Sequence, residues 1–393
     1  MNTKSVGYGP KAVLDEAVDQ GELPFAIAAM GSSEGQLWSH AAGHRDANKH
    51  HSASPDNIIQ IASMTKLVTT IAALQLVERG LLALDEPANV YIDELARLRV
   101  LTGFDADGKG QFEDAKRAPT VRELITHTAG FVYEMWDANA QQAVTAGLAE
   151  SLLAGGNFLV NPLAFQPGTQ WEYGTNTDWL GVLIEQRSGE RLVDYFEKHI
   201  FDPLGMKDTH FELPEDKLDR SVTMMARTED QLIVSSFGQP TAQDRHSMPF
   251  YSGGGGLYST VEDYGRVLQM LLSEGTANGS QVLAAKTVDT MFHNHIGELR
   301  PEALVTQVPE VSNDADLAFG ASATFGLGLL IHPEGLPSRR RANTGSWAGL
   351  FNTYYWIDRD SDLYGIFGTQ ILPFYDAATI STLASFEQAV YSA

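Results

Sequence analysis

The chain holds a single tetrapeptide of the form Ser-x-x-Lys, Ser63-Met64-Thr65-Lys66. On a helix, positions i and i+3 share a face, so the hydroxyl and the amine would stand side by side. The chemistry this pair permits is nucleophilic. An amine in apolar surroundings gives up its proton more easily and can then take the proton of a neighbouring serine. The N–H groups and dipole at a helix start favour the developing alkoxide. The same four residues also suit an N-cap serine followed by a surface lysine, and the tetrapeptide alone does not choose. A serine nucleophile needs a second proton-handling group and donors for an oxyanion. The more familiar Gly-x-Ser-x-Gly elbow is missing, because Gly320-Ala321-Ser322-Ala323-Thr324 lacks its last glycine.

Composition removes several other chemistries. Without cysteine there is no thiol nucleophile, disulfide framework or Cys-ligated zinc. Lys+Arg 27 against Asp+Glu 50 leaves a net charge of −23, which repels phosphate backbones and anionic lipid. No nucleic-acid or membrane partner is expected. His50-His51 and His293-Asn294-His295 show no carboxylate at ligand spacing, so no metal site is expected. Gly253–Gly256 lacks the Lys-Ser/Thr that follows a phosphate loop. His127 reads as a structural hydrogen-bonder rather than a base, and Arg339–Arg341 as a solvated loop or an acid-pairing patch that could flank a pocket entrance. No apolar run reaches the roughly 18 residues of a membrane span, and the first residues carry no apolar signal core. The expected location is the cytoplasm.

The elements that must position Ser63 and Lys66 follow from pattern. Hydrophobic residues make up 43% of the chain, enough for a sizeable core. Residues 10–20 predict a short helix, and Phe25–Met30 with Gln36–Ala42 a hairpin around Gly31–Gly35. Ser63–Arg79 is the strongest predicted helix, with Gly80 at its end. Thr120 and Glu123 have capping-box spacing and start a helix expected to end at Gly130; Ser259 and Glu262 repeat that spacing before an apolar stripe. Residues 176–199 predict two helices broken at Ser188-Gly189. Strands are expected at Phe325–His332, Thr353–Ile357 and Leu363–Gln370, then a closing helix over 376–391. Two β-rich ends around a helical middle predict one antiparallel sheet built from both termini, with residues 1–85 and 250–393 in an α/β domain and 86–249 as an inserted, mainly helical region.

Six segments in order resemble a known family: IASMTKL (61–67), PTVRELITHTAG (119–130), WEYGTNTDWLG (171–181), FDPLGMKDT (201–209), SGGGGLYSTVEDYGRVLQMLL (252–272) and WAGLFNTYYWIDRD (347–360). They are similar to the serine β-lactamase and penicillin-binding-protein superfamily. Within it they resemble the class C β-lactamase-like esterases, the family VIII carboxylesterases, near the lovastatin-type acyltransferases.

The resemblance implies a mixed α/β (α+β), β-lactamase/transpeptidase-like fold. It implies Ser63 as nucleophile, Lys66 as its proton acceptor and Tyr173 as a phenol that relays the proton. Where the lactamases have Tyr-x-Asn, this chain has Tyr173-Gly174-Thr175 with Asn176 one place late. For the third family element, Asn343-Thr344-Gly345 keeps Thr-Gly without the lysine, and Trp347-Ala348-Gly349 matches the W-x-G form of the esterases; the second is preferred. The oxyanion hole is then the backbone N–H groups of Ser63 and Leu350. Candidate substrate contacts are Trp347, Gly349, Thr175 and Asn176, with Tyr133, Trp136, Trp171 and Phe351 as aromatic pocket walls. Without the lysine, substrates lacking a carboxylate are favoured. The implied activity is hydrolysis of small or short-chain carboxylic esters through an acyl-enzyme, with no cofactor. The other possibilities are β-lactam, amide or D-peptide cleavage, acyl transfer to another acceptor, or a binder without catalysis. The sequence leaves the oligomeric state open.

Overall fold

The computed structural model describes residues 8–229 and 231–392. Strands β1 (Phe25–Ser32) and β2 (Gly35–Gly43) form the expected hairpin, turning at Ser33 and Glu34. Five strands from the last third of the chain join them: β3 (Thr324–Phe325), β4 (Leu330–His332), β5 (Thr344–Gly349), β6 (Thr353–Asp358) and β7 (Leu363–Gly368). The spatial order is β3-β4-β5-β6-β7-β1-β2, antiparallel throughout. The two chain ends thus share one sheet, joined where β1 pairs with β7. The Asp362 carboxylate reinforces that seam, accepting from Ser33 N at 3.0 Å and Ser33 Oγ at 2.9 Å.

Two strands depart from expectation. Phe325–His332 is not one strand but the short hairpin of β3 and β4. A Cβ on Gly326 would lie 2.0 Å from the Met291 carbonyl, and Gly328 takes a left-handed φ of +76°, so the glycines turn the chain. Pattern alone gave no strand at β5, because two of its six residues are glycine and no alternation marks it; the resemblance put the third family element on an edge strand, whereas β5 lies inside the sheet between β4 and β6. Its glycines answer close packing instead. A Cβ on Gly345 would come 2.8 Å from the Phe292 ring, and one on Gly349 would come 2.2 Å from the Ile61 carbonyl.

The helices that bear on the site and the sheet are α1 (Tyr8–Asp19), α2 (Thr65–Glu78), α3 (Val121–Ile125), α4 (Ala138–Thr145), α5 (Asn176–Ser188), α6 (Val261–Leu272) and α7 (Ala377–Tyr391). Successive strand residues point to opposite faces. Trp356 of β6 meets Phe386 of α7, whereas its neighbour Tyr355 meets Tyr264 of α6. The sheet is therefore covered by α7 on one face and α6 on the other, which is why β6 and β7 are buried throughout. α2 is buried nearly all round, from Thr65 to Leu76, as expected of a central helix without a polar face.

Local signals held with adjustments. The Thr120 capping box is present in both directions. Its helix stops at Ile125 rather than Gly130, because His127 takes a left-handed φ of +59°. α6 is capped by Thr260, which accepts from Asp263 N at 3.1 Å, one residue later than the Ser259–Glu262 pair. α5 ends at Gly189 as expected, with φ +73°. Residues 86–249 carry α3 to α5 and also strands the pattern did not reveal: the hairpin Arg99–Phe104 with Gly110–Asp114, and Met225–Arg227, which pairs in parallel with Ile371–Leu372.

The loop before β5 is locked to α7 by Glu387, which is fully buried. Its carboxylate accepts from Arg340 Nε at 2.8 Å, from Arg340 Nη2, and from Arg339 Nη1 at 3.2 Å. The arginine run is thus an acid-pairing patch, away from the central cavity described below. Removing one partner of a buried ion pair costs roughly 3–5 kcal/mol. Glu387→Leu should lower the urea-unfolding free energy by about 3 kcal/mol. A loss under about 1 kcal/mol would show that this cluster does not anchor the loop.

Candidate active site

Ser63 lies in a single 3₁₀ turn, Ala62–Met64, just ahead of α2 rather than inside it. The i, i+3 relation survives the change of helix type. Ala62 holds a left-handed φ of +43°, a costly conformation for a residue with a Cβ. The surroundings enforce it. Ile61 N donates to Leu257 O at 3.0 Å, Tyr264 Oη donates to Met64 O at 2.9 Å, and Thr353 Oγ1 donates to Ile61 O at 3.3 Å. The last contact comes from β6, next to Gly349.

Because α2 is central, Lys66 is only 3% exposed. Its Nζ stands 3.3 Å from Ser63 Oγ, 3.0 Å from Tyr133 Oη and 2.6 Å from the Gly254 carbonyl. The rings of Tyr133 and Tyr173 lie 5.2 and 4.7 Å from it. Burial pushes this amine down to about 7, against a smaller upward pull from the Asp178 carboxylate. The surface-lysine reading of the tetrapeptide is therefore wrong for this fold.

Tyr173 is held by aromatics. Its hydroxyl accepts from Trp347 Nε1 at 3.4 Å, and its ring centroid lies 4.9 Å from Trp347 and 4.8 Å from His127. Burial raises its phenol above the ordinary range, offset in part by hydrogen bonding with Ser63 and Trp347. Gly174 lets the chain pass Phe131, whose carbonyl would lie 2.1 Å from a Cβ there. His127 is buried, and its Nδ1 accepts from Asn176 Nδ2 at 3.1 Å; burial and Lys66 hold it well below the usual imidazole value. It is a structural hydrogen-bonder, as expected.

Ser63 opens on a cavity of about 280 Å³. Tyr133, Trp136 and Phe351 line it, where the sequence placed pocket walls, and so does Leu350, read there as an oxyanion donor. Trp171, Thr175, Asn176, Trp347 and Gly349, like Lys66 and Tyr173, stand behind its lining residues. Asn176 is fully buried and spends its amide on His127 and on Phe131 O at 2.7 Å. Trp347 backs Tyr173, and Trp171 packs on Phe325. Tyr133 gains a second place, as a hydrogen-bond partner of the amine.

The sequence reading missed several residues. Leu152 and Leu153 form part of the wall, and their amides donate to the buried Glu134 carboxylate at 3.1 and 3.3 Å. Phe237 stands on the opposite side near Phe351. Asp178 is the one charged side chain of the wall among the described residues. An acid in the first turn of a helix normally reads as a dipole partner. Its burial among Thr177, Trp179 and Leu180 was the available clue.

The histidine pairs also need a correction. His51 Nδ1 lies 3.2 Å from Asp46 and His293 Nε2 3.7 Å from Asp289, so each does have a carboxylate neighbour. Among the described residues, no three His, Asp or Glu side chains come together as a metal site, and no helix is long and apolar enough to cross a membrane.

A Ser-x-x-Lys turn packed under an antiparallel sheet, with a phenol and a W-x-G strand beside it, defines the class of the serine β-lactamases and penicillin-binding proteins. The Beta-lactamase family model matches residues 11–384, and the chain belongs to that family. It is 32% identical to a lovastatin esterase of Penicillium rubens, covering 91% of each chain. It is 30% identical to a monacolin J acid methylbutanoyltransferase of Aspergillus terreus, over 96% of this chain and 94% of that one. A mutant simvastatin synthase from Aspergillus terreus superposes with a TM-score of 0.83 at 28% identity, covering 98% of this chain and 96% of the other.

With burial pushing the Lys66 amine down to about 7, the neutral form that can accept a proton predominates above that pH and falls off below it. Labelling of Ser63 by a fluorophosphonate should slow about tenfold per pH unit below pH ~7 and level off above it. A labelling rate independent of pH between about 5 and 9 would contradict this assignment.

Proposed function

We propose that the protein is a serine-dependent carboxylic ester hydrolase working through an acyl-enzyme, able to pass the acyl group to an alcohol in place of water. The observation that carries this reading is the set of three partners around Lys66 Nζ. A neutral amine has two N–H donors and one lone pair. The Gly254 carbonyl must take one donor, since a carbonyl cannot donate. Tyr133 Oη can take the other. The lone pair is then left for the Ser63 hydroxyl.

In this scheme Ser63 Oγ attacks the ester carbonyl carbon while its proton passes to Lys66. The oxyanion is held by the backbone N–H groups of Ser63 and Leu350. Collapse breaks the C–O bond to the alcohol, which takes back the proton through Tyr173, its hydroxyl kept un-ionised by burial. Water or an alcohol then attacks the acyl-enzyme by the reverse route. Side chains and backbone handle every proton and charge, and the scheme needs no cofactor.

Substrate class follows from the wall. A carboxylate-bearing lactam or peptide finds no cationic side chain among the lining residues to pair with. A volume of about 280 Å³ sits just below the ~300–1,000 Å³ usual for drug-sized ligands, which favours a small neutral ester. The names of two relatives, an esterase and a methylbutanoyltransferase, support ester chemistry and a short acyl group.

Ser63→Ala should abolish hydrolysis of p-nitrophenyl butyrate with the circular dichroism spectrum unchanged. Wild-type kcat/KM for that ester should exceed the value for nitrocefin by at least ~10². Turnover retained by Ser63→Ala would remove the serine from the mechanism, and faster nitrocefin hydrolysis would make the protein a lactamase.

A further inference from the structure

Asp178 has no part in the scheme above, yet it is 1% exposed and sits against the cavity. It is the third residue of α5. Its Oδ1 accepts from Ser252 Oγ at 2.5 Å and from Gly254 N at 3.1 Å. The carbonyl of the same Gly254 receives Lys66 Nζ at 2.6 Å. One residue thus touches the carboxylate through its N–H and the amine through its C=O. The glycines make this contact close. A Cβ on Gly254 would lie 2.4 Å from Asp178 Oδ2, and one on Gly253 would lie 2.5 Å from Thr177 O. On the α2 side, Thr69 Oγ1 donates to Gly253 O at 2.6 Å. The run Ser252–Gly254 is pinched between α2 and α5, with Asp178 as its clasp.

We propose that Asp178 is the positioning residue of the Lys66 amine: its carboxylate fixes the Gly254 carbonyl that aims Nζ at Ser63, and its charge balances the ammonium formed when Ser63 gives up its proton. This rests on the acyl-transfer reading above. The groups facing Lys66 are few. Ser63 and Lys66 belong to one turn, Tyr133 and Tyr173 are phenols kept un-ionised by burial, and His127 is kept neutral. Asp178, from α5, is the one charged group acting on the amine. A buried ammonium without a counter-charge is expensive, so the tetrapeptide needs such a partner in order to cycle. Asp178 performs for Lys66 the two tasks a buried acid performs for a catalytic base: it orients the base and stabilises its protonated form.

Asp178→Asn keeps the shape and one acceptor oxygen but removes the charge. The acidic limb of the kcat/KM profile for p-nitrophenyl butyrate should move to lower pH by roughly one unit, with kcat reduced and KM little changed. The Lys66 resonance of ¹³Cε-lysine-labelled protein, assigned with Lys66→Arg, should titrate lower by the same amount. Ser252→Ala removes one hydrogen bond and no charge, so it should lower kcat without moving the limb. It also serves if Asp178→Asn fails to fold, since a limb shifted by Ser252→Ala would show that the hydrogen bond and not the charge sets the amine. An Asp178→Asn limb and Lys66 resonance that titrate as in wild type would overturn the proposal. If the wild type hydrolyses no ester, the functional reading falls, and the resonance titration still decides the role of Asp178.

Discussion

A lysine amine at the centre of a protein must either lose its proton or find a counter-charge, because an uncompensated ammonium costs several kcal/mol there. Lys66 meets both halves of that constraint. Burial lowers its proton affinity toward neutrality, and Asp178 prevents it from falling further. The rest of the site serves this balance. α2 is buried almost all round so that Lys66 is buried with it, and β5 with β6 presses the Ile61–Ser63 turn into contact. Gly253 and Gly254 bring a carbonyl to the amine along a path where a Cβ at either position would clash.

Two sides of the molecule meet at this point. The sheet face supplies Trp347, which fixes Tyr173, and Gly349, whose missing side chain lets the strand approach Ile61. The helical middle supplies Tyr133, Glu134 and the loop carrying Leu152 and Leu153. The cavity thus sits where the middle of the chain closes over the sheet, with Tyr133, Trp136, Leu152 and Leu153 from the middle facing Leu350 and Phe351 from the sheet side.

Much of this was legible in the chain because it is encoded locally. The β1–β2 hairpin, α2, the Thr120 box and the Gly189 stop each depend on neighbouring residues. Ser63, Lys66 and Tyr173 came from motif order together with the S-x-x-K spacing. What stayed hidden depends on packing at long range. β5 carried no strand pattern of its own because Gly345 and Gly349 answer to Phe292 and Ile61, which are far away in sequence. The choice between Ser259–Glu262 and Thr260–Asp263 as cap rests on one residue of chain path, and both pairs fit the rule. Asn176 resembled a substrate contact by position, but it is fully buried and its amide nitrogen is taken by His127 and Phe131. No pattern announces that Tyr133, 67 residues along, will reach Lys66, or that Asp178 will clasp Gly254.

The central claim is that neutral Lys66 takes the proton as Ser63 becomes acylated. Rapid-quench intact-mass measurement of the acyl-enzyme formed from p-nitrophenyl butyrate, comparing wild type with Lys66→Met at pH ~8, reads that step alone. The account predicts a +70 Da adduct mapped to Ser63 in wild type, forming at least ~10² times more slowly in a folded Lys66→Met. Equal rates of adduct formation in the two proteins would contradict it.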